Sequence, residues 1–210
     1  MHQNDASTYP QQGWGEALGM FFDCEILNFA MNGCSTKSFI DLGYAKKAID
    51  SSSRGDWAII QFGHNDEKDD PLRHTDPYTT YQKNLSYLLD QFRRRGVNVI
   101  FCTSISRRIF NGDKIEDTHG DYPNAMIDLA SRLGVECIDL CSLTKKKFEE
   151  FGEKFTTSYF MIFGPNDYPN YPEGKFDNTH LRWEGAYLIA SMFINELKRI
   201  DSPLRDKLKS

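Results

Sequence analysis

Trp57-Ala58-Ile59-Ile60-Gln61-Phe62-Gly63-His64-Asn65-Asp66 begins with an almost unbroken apolar run and halts at a glycine. A strand with one wet face alternates polar and apolar residues, so a continuous run points to a strand covered on both faces of a parallel sheet. The same pattern returns in Val97-Asn98-Val99-Ile100-Phe101-Cys102 and again over residues 135 to 140. Helical spacing fills the gaps. Tyr81 to Arg95 is predicted as a helix stopped by Gly96, Tyr122 to Leu133 as a helix closed by Gly134, and Leu143 to Phe151 as a third.

Upstream, residues 14 to 22 read as a short helix, and Glu25 to Ala30 as a strand ending at the Asn32-Gly33 turn. Thr36 to Asp50 carries Phe39, Ile40, Tyr44, Ala48 and Ile49 at helical spacing, with Ser35 as N-cap. Residues 66 to 79 and 107 to 121 are predicted polar loops, and 152 to 176 a long insertion rich in aromatics, Pro and Gly. Strand and helix alternate throughout. That order predicts a doubly wound, flavodoxin-like parallel α/β sheet. No repeat or linker divides the chain, so the expectation is one domain over residues 1–210.

The chain has 210 residues, 40% hydrophobic and 26% charged, with a formal net charge of -5, which suits a folded domain with a real core. Arg93-Arg94-Arg95 and Lys145-Lys146-Lys147 are its only basic clusters, and both fall in predicted helices as solvated faces. Nucleic acid is therefore not expected as a partner. No apolar run has the length of a membrane span, so no membrane partner is expected either. Five cysteines, Cys24, Cys34, Cys102, Cys137 and Cys141, form no CxxC pair or zinc pattern and read as free thiols. The polar start, Met1-His2-Gln3-Asn4-Asp5, shows no signal peptide. A cytoplasmic protein is the expectation, with secretion left open by the N-terminal block discussed below.

In sheets of this kind, ligands bind beyond the carboxyl ends of the strands. Gly33 and Asn65 fall at such ends. A backbone N–H at Gly33 and the side-chain NH2 of Asn65 can converge as an oxyanion hole. Near the other end of the chain, Asp177-Asn178-Thr179-His180 puts a carboxylate three residues before an imidazole, on a predicted loop feeding the last helix. One ring nitrogen can then donate to the carboxylate while the other acts as a general base.

With Tyr9-Pro10-Gln11-Gln12-Gly13-Trp14-Gly15, Asn28 to Phe39, Gln61 to Asp66 and Asp177 to His180 in this order, the chain resembles the SGNH, or GDSL-like, hydrolases. The likeness is to their rhamnogalacturonan acetylesterase-like branch. It implies a carbohydrate esterase that removes acetyl groups from a plant cell-wall polysaccharide or oligosaccharide, with no metal or organic cofactor. It also implies His180 as base, Asp177 as its orienting partner, and Gly33 and Asn65 as oxyanion donors. The family's nucleophile is the serine of a Gly-Asp-Ser motif that ends the first, central strand. Neither the motif nor an apolar strand leading to it occurs in residues 1 to 12. Counted back from Gly13, that serine is expected just upstream of Met1, which leaves the nucleophile outside this chain and the chain itself inactive.

Asp5-Ala6-Ser7-Thr8 mimics the motif, but no strand leads into it and it lies close to Gly13, so Ser7 is the weaker candidate. Ser35 and Ser38 fit better as a helix cap and a first-turn residue. Two other readings stand beside the esterase. A metal-dependent phosphoesterase would use His64 and Asp66 with Asp177 and His180, but the expected Asp-x-His is missing. A catalytically dead glycan-binding fold would use Phe155, Tyr159, Phe160, Phe163, Tyr168 and Tyr171 as a stacking surface. His2, His74 and His119 read as loop residues without a role. Oligomeric state is not legible.

Overall fold

The computed structural model describes residues 6–209. Its helices are α1 (Trp14–Ala17), α2 (Thr36–Asp41), α3 (Tyr44–Asp50), α4 (Gln82–Arg94), α5 (Tyr122–Leu133), α6 (Leu140–Thr156) and α7 (Trp183–Arg199). Its strands are β1 (Trp57–Gln61), β2 (Asn98–Cys102), β3 (Phe110–Asn111), β4 (Lys114–Ile115), β5 (Glu136–Ile138), β6 (Phe160–Phe163) and β7 (Lys175–Leu181). Two compact units emerge. One holds the described parts of Met1–Ala30, Ile105–Thr118 and Ser142–Ser210; the other holds Met31–Ser104 and His119–Cys141. Neither is a single continuous stretch.

The second unit carries the parallel sheet, ordered β1-β2-β5. Ala58 pairs with Val99, Ile59 with Ile100 and Ile60 with Phe101, so the two apolar runs lie in register. Ile100, Phe101 and Cys102 are fully buried, as a central strand requires. Helices α4 and α5 form the two crossovers. They bury Leu85, Leu88, Ala125 and Met126, the residues that recur at helical spacing. Gly134 closes α5 in the left-handed region at φ 59, as its position predicts. The α/β class stands as the sequence indicates. Thr36 to Asp50 departs from the expectation of one helix. Gly43, at φ 81, breaks it into α2 and α3.

The first unit packs α1 on α7, with Trp14 and Phe193 rings 5.4 Å apart and both side chains buried. Its antiparallel pair β6-β7 is extended by a bridge from Gln12 to Leu181. The strand expected over Glu25 to Ala30 does not form. Those residues make no ladder with any described strand, and Leu27 is 54% exposed. A strand exists only through its partner's hydrogen bonds, so β-type composition alone leaves the segment irregular. Within the aromatic insertion, most rings pack on one another. Phe155 and Tyr159 meet each other and Phe151, just before the insertion, in tilted and edge-on contacts at 5.2 to 5.9 Å, and Phe163 lies 4.7 Å from Tyr168 and 5.4 Å from Tyr171. Phe155 and Phe176 nevertheless stay exposed. No helix among the described residues is long and apolar enough to cross a membrane.

Candidate active site

Asp177 and His180 lie on β7, not on the loop that the sequence suggests. In a regular strand, residues three apart face opposite ways. Here the register breaks. Met161 pairs with Asp177, and the preceding residue, Phe160, pairs with Leu181, so residues 178 to 180 bulge out of the ladder. The bulge turns both side chains toward each other. Asp177 Oδ1 accepts from the backbone N–H of Thr179 at 2.8 Å and of His180 at 3.0 Å. Asp177 Oδ2 accepts from His180 Nδ1 at 2.8 Å.

Burial by itself would raise the Asp177 carboxyl. The bonds from the His180 ring and backbone, its positive charge when protonated, and the Thr179 N–H outweigh that and hold the carboxyl well below the usual carboxylate range. Asp177 is thus an anion, and Nδ1 must be the donor. The neutral ring then carries its lone pair on Nε2, the atom a general base needs. Nε2 has no hydrogen-bond partner among the described residues, and the His180 side chain is 42% exposed. Lys175 Nζ stands 3.6 Å from Asp177 Oδ2. Asp177 does not cap α7, because Arg182 occupies the N-cap position.

The predicted oxyanion donors belong to the second unit, and the structure brings them together there. Gly33 occupies a turn closed by Cys34 N–H donating to Met31 O at 3.3 Å, with φ 77, a conformation that favours glycine. Its N–H finds no acceptor among the described residues. Asn65 lies beyond the carboxyl end of β1 and donates from Nδ2 to Cys34 O at 3.2 Å. One amide N–H of Asn65 is thus spent on orientation and the second is left for a ligand. Gly63 has no room for a side chain, since a Cβ would stand 2.4 Å from Ser104 Oγ.

Asp66, weighed from sequence only as a metal ligand, is the buried anchor of this half. Its carboxylate accepts from Thr36 N–H at 3.0 and 3.1 Å, from Thr36 Oγ1, and from Thr75 Oγ1 at 3.0 Å. It therefore ties the start of α2, just past the Gly33 turn, to the loop that bears Asn65. Burial pushes the carboxyl up to about 6 against the pull of the Thr36, Thr75 and Gly63 donors. Ser35 caps α2 as expected and forms a reciprocal capping box with Ser38. Both hydroxyls are thereby engaged in holding the helix start.

His119 corrects its reading as an idle loop residue. It is buried, its Nδ1 lies 2.8 Å from Glu67 Oε2, and its ring meets that of His64 edge-on at 4.6 Å. Among the described residues, no group of three or more His, Cys, Asp or Glu is placed to hold a metal ion. Ser7 is exposed, in the turn before Gln11. Met1–Asp5, including His2, lie outside the described residues. Arg108 was also hidden in a predicted polar loop, yet it is buried and bonded to Asn178 inside the bulge. A charged residue in a polar loop gives no sign of burial in sequence, so nothing there could have found it.

Comparison with known proteins bears on this geometry. Residues 3–186 match the model of the GDSL-like lipase/acylhydrolase family. The chain is 40% identical over 204 residues to rhamnogalacturonan acetylesterase RhgT of Bacillus subtilis (strain 168), covering 96% of this chain and 87% of that protein. It is 27% identical to a rhamnogalacturonan acetylesterase of Emericella nidulans, covering 97% of this chain and 84% of that one. Among solved structures, protein YXIM_BACsu of Bacillus subtilis superimposes with a TM-score of 0.76 at 22% identity. That match covers 92% of this chain and 52% of the solved chain, and it speaks to the fold.

Proposed function

The chain belongs to the GDSL-like lipase/acylhydrolase family, and on that premise we propose that it removes acetyl groups from a rhamnogalacturonan-type plant cell-wall polysaccharide by serine-type ester hydrolysis. A serine hydroxyl attacks the acetyl carbonyl. His180 Nε2 takes the serine proton and later returns it to the departing sugar oxygen. Asp177 holds the ring by Nδ1 and stabilises the imidazolium. The Gly33 N–H and the Asn65 amide receive the negative oxygen of the tetrahedral intermediate, where such donors act most strongly. No step is assigned to a metal or organic cofactor.

The observation that carries this reading is the 2.8 Å bond between His180 Nδ1 and the ionised Asp177, which leaves Nε2 as a base. The substrate class comes from the name of the relative that is 40% identical. The nucleophile is proposed to be a Gly-Asp-Ser serine encoded upstream of Met1, because residues 1 to 210 contain no such motif. One domain of the family is proposed for the whole chain.

The test compares the 210-residue chain with a protein extended by the codons that precede Met1. The extended protein is expected to release acetate from acetylated rhamnogalacturonan and to react with a fluorophosphonate at the serine of Gly-Asp-Ser. The 210-residue chain is expected to do neither. Labelling of the shorter chain at Ser7 would overturn the assignment of the nucleophile. An extended protein that binds the polysaccharide without releasing acetate would favour the glycan-binding alternative.

A further inference from the structure

Asn178 is the first of the bulged residues between Asp177 and His180, and Arg108 grips it at two points. The Arg108 backbone N–H donates to Asn178 O at 2.8 Å, and its Nη1 donates to Asn178 Oδ1 at 2.9 Å. The rest of the guanidinium is fixed from the other side. Nε donates to Thr156 Oγ1 at 3.1 Å, and Nη2 donates to Thr157 Oγ1 at 3.0 Å and to the carbonyl of Glu153. That carbonyl follows the break in α6 at Gly152, where φ 77 and ψ 164 leave the helix. All of these residues lie in the first unit.

The Arg108 side chain is 5% exposed, and the closest carboxylate is Glu153 Oε1 at 3.8 Å, itself 61% exposed. Burying a guanidinium without a close counter-ion is costly, and a well-packed apolar side chain of like size is often as stable or better. Stability alone is thus a poor account of this residue. Its side-chain donors tie the Asn178 amide to residues 153 to 157, while its backbone N–H holds the Asn178 peptide, and together they set the path of the chain from Asp177 to His180. A planar fork can hold its acceptors in a fixed plane, which an ammonium cannot. We infer that Arg108 is a positioning residue for the Asp177–His180 pair, holding the bulge in the shape that keeps Nδ1 against the carboxylate.

This inference rests on the reading of Asp177 and His180 as the catalytic pair, and its test does not depend on ester hydrolysis. In the 210-residue chain labelled with 15N-histidine, the Nδ1 proton of His180 is protected from solvent exchange by its bond to Asp177. Arg108→Met fills much of the same space, removes the side-chain half of the grip and leaves the backbone bond to Asn178 O in place. The variant is expected to keep its melting temperature within a few degrees while exchange of that proton quickens roughly tenfold or more, the population change of one charge-assisted hydrogen bond. Asn178→Ala removes the same side-chain bond from the other end, keeps the guanidinium's bonds to residues 153 to 157, and should quicken exchange by a similar factor. Should Arg108→Met not fold, Asn178→Ala decides. A folded variant whose Nδ1 proton exchanges as in the wild type overturns the inference, whatever the protein's activity proves to be. In the extended protein, Arg108→Met should lower kcat roughly 10²-fold with KM little changed, the usual effect of a misplaced catalytic group. An equal fall in kcat at unchanged proton exchange would count against it.

Discussion

Replacing Asp66 with asparagine tests which of two opposed forces governs the carboxyl that ties the start of α2 to the loop bearing Asn65. Burial favours the neutral acid, while hydrogen-bond donors from Thr36, Thr75 and Gly63 favour the carboxylate. The balance leaves the group at about 6, against 3.8 for a free aspartate. A folded-state pKa above the unfolded one means that the folded chain binds the extra proton between those two values. The stability tied to that proton is full below the unfolded pKa and is lost as pH rises through the folded one. A shift of about two units at about 1.4 kcal/mol each amounts to roughly 3 kcal/mol. The substituted amide cannot titrate. It also turns an N–H toward donors, which adds a cost that does not vary with pH. The difference in unfolding free energy between wild type and Asp66→Asn should therefore change by about 3 kcal/mol between about pH 4 and about pH 7, the wild type losing its advantage as pH rises. Urea unfolding followed by tryptophan fluorescence at several pH values measures it. A flat difference, or one that grows in the wild type's favour toward neutral pH, would refute the reasoning. It would mean that the donors outweigh burial and keep Asp66 charged throughout.

Asp177→Asn carries the opposite sign, because the Asp177 carboxyl is held low in the fold. Its contribution is present above the unfolded pKa and lost as pH falls, so the gap to wild type should be widest near neutrality and close in acid. Charges about 4 Å apart at an effective dielectric constant of about 20 interact by about 4 kcal/mol, so kcat of the extended, active protein should fall roughly 10³-fold. A fall of less than about tenfold there removes Asp177 from the site. Asn65→Ala should lower kcat by roughly 10²–10³ with KM little moved, and a kcat within a factor of two of wild type would rule Asn65 out as a donor. Gly33→Ala forces a side chain into the left-handed region at φ 77, and calorimetry should show a loss of about 1–2 kcal/mol, or else the turn relaxes and the donor assignment fails.

Much of this protein is legible in its sequence, and the reasons are local. The runs at Trp57 and Asn98 need cover on both faces wherever they lie, so their place in a parallel sheet follows from composition. Gly134 ends α5 because the left-handed turn that a helix end uses asks for a glycine. Ser35 caps α2 because its hydroxyl reaches the N–H three residues on. Asp177 and His180 are close in the chain, and their pairing could be foreseen. Only the tertiary structure decides the rest, because it depends on groups far apart in sequence. The run from Glu25 to Ala30 has the composition of a strand, yet it takes no regular form without a partner ladder. Asn65 meets the turn after Gly33 across 31 residues. Asp66 is buried by Thr36 and Thr75, and its raised pKa exists only in that enclosure. The bulge that joins Asp177 to His180 is set by β6, which offers no residue opposite positions 178 to 180, and Arg108 reaches it across 70 residues. A polar residue's sequence neighbours do not reveal whether water or protein will satisfy it, and the folded chain makes that choice.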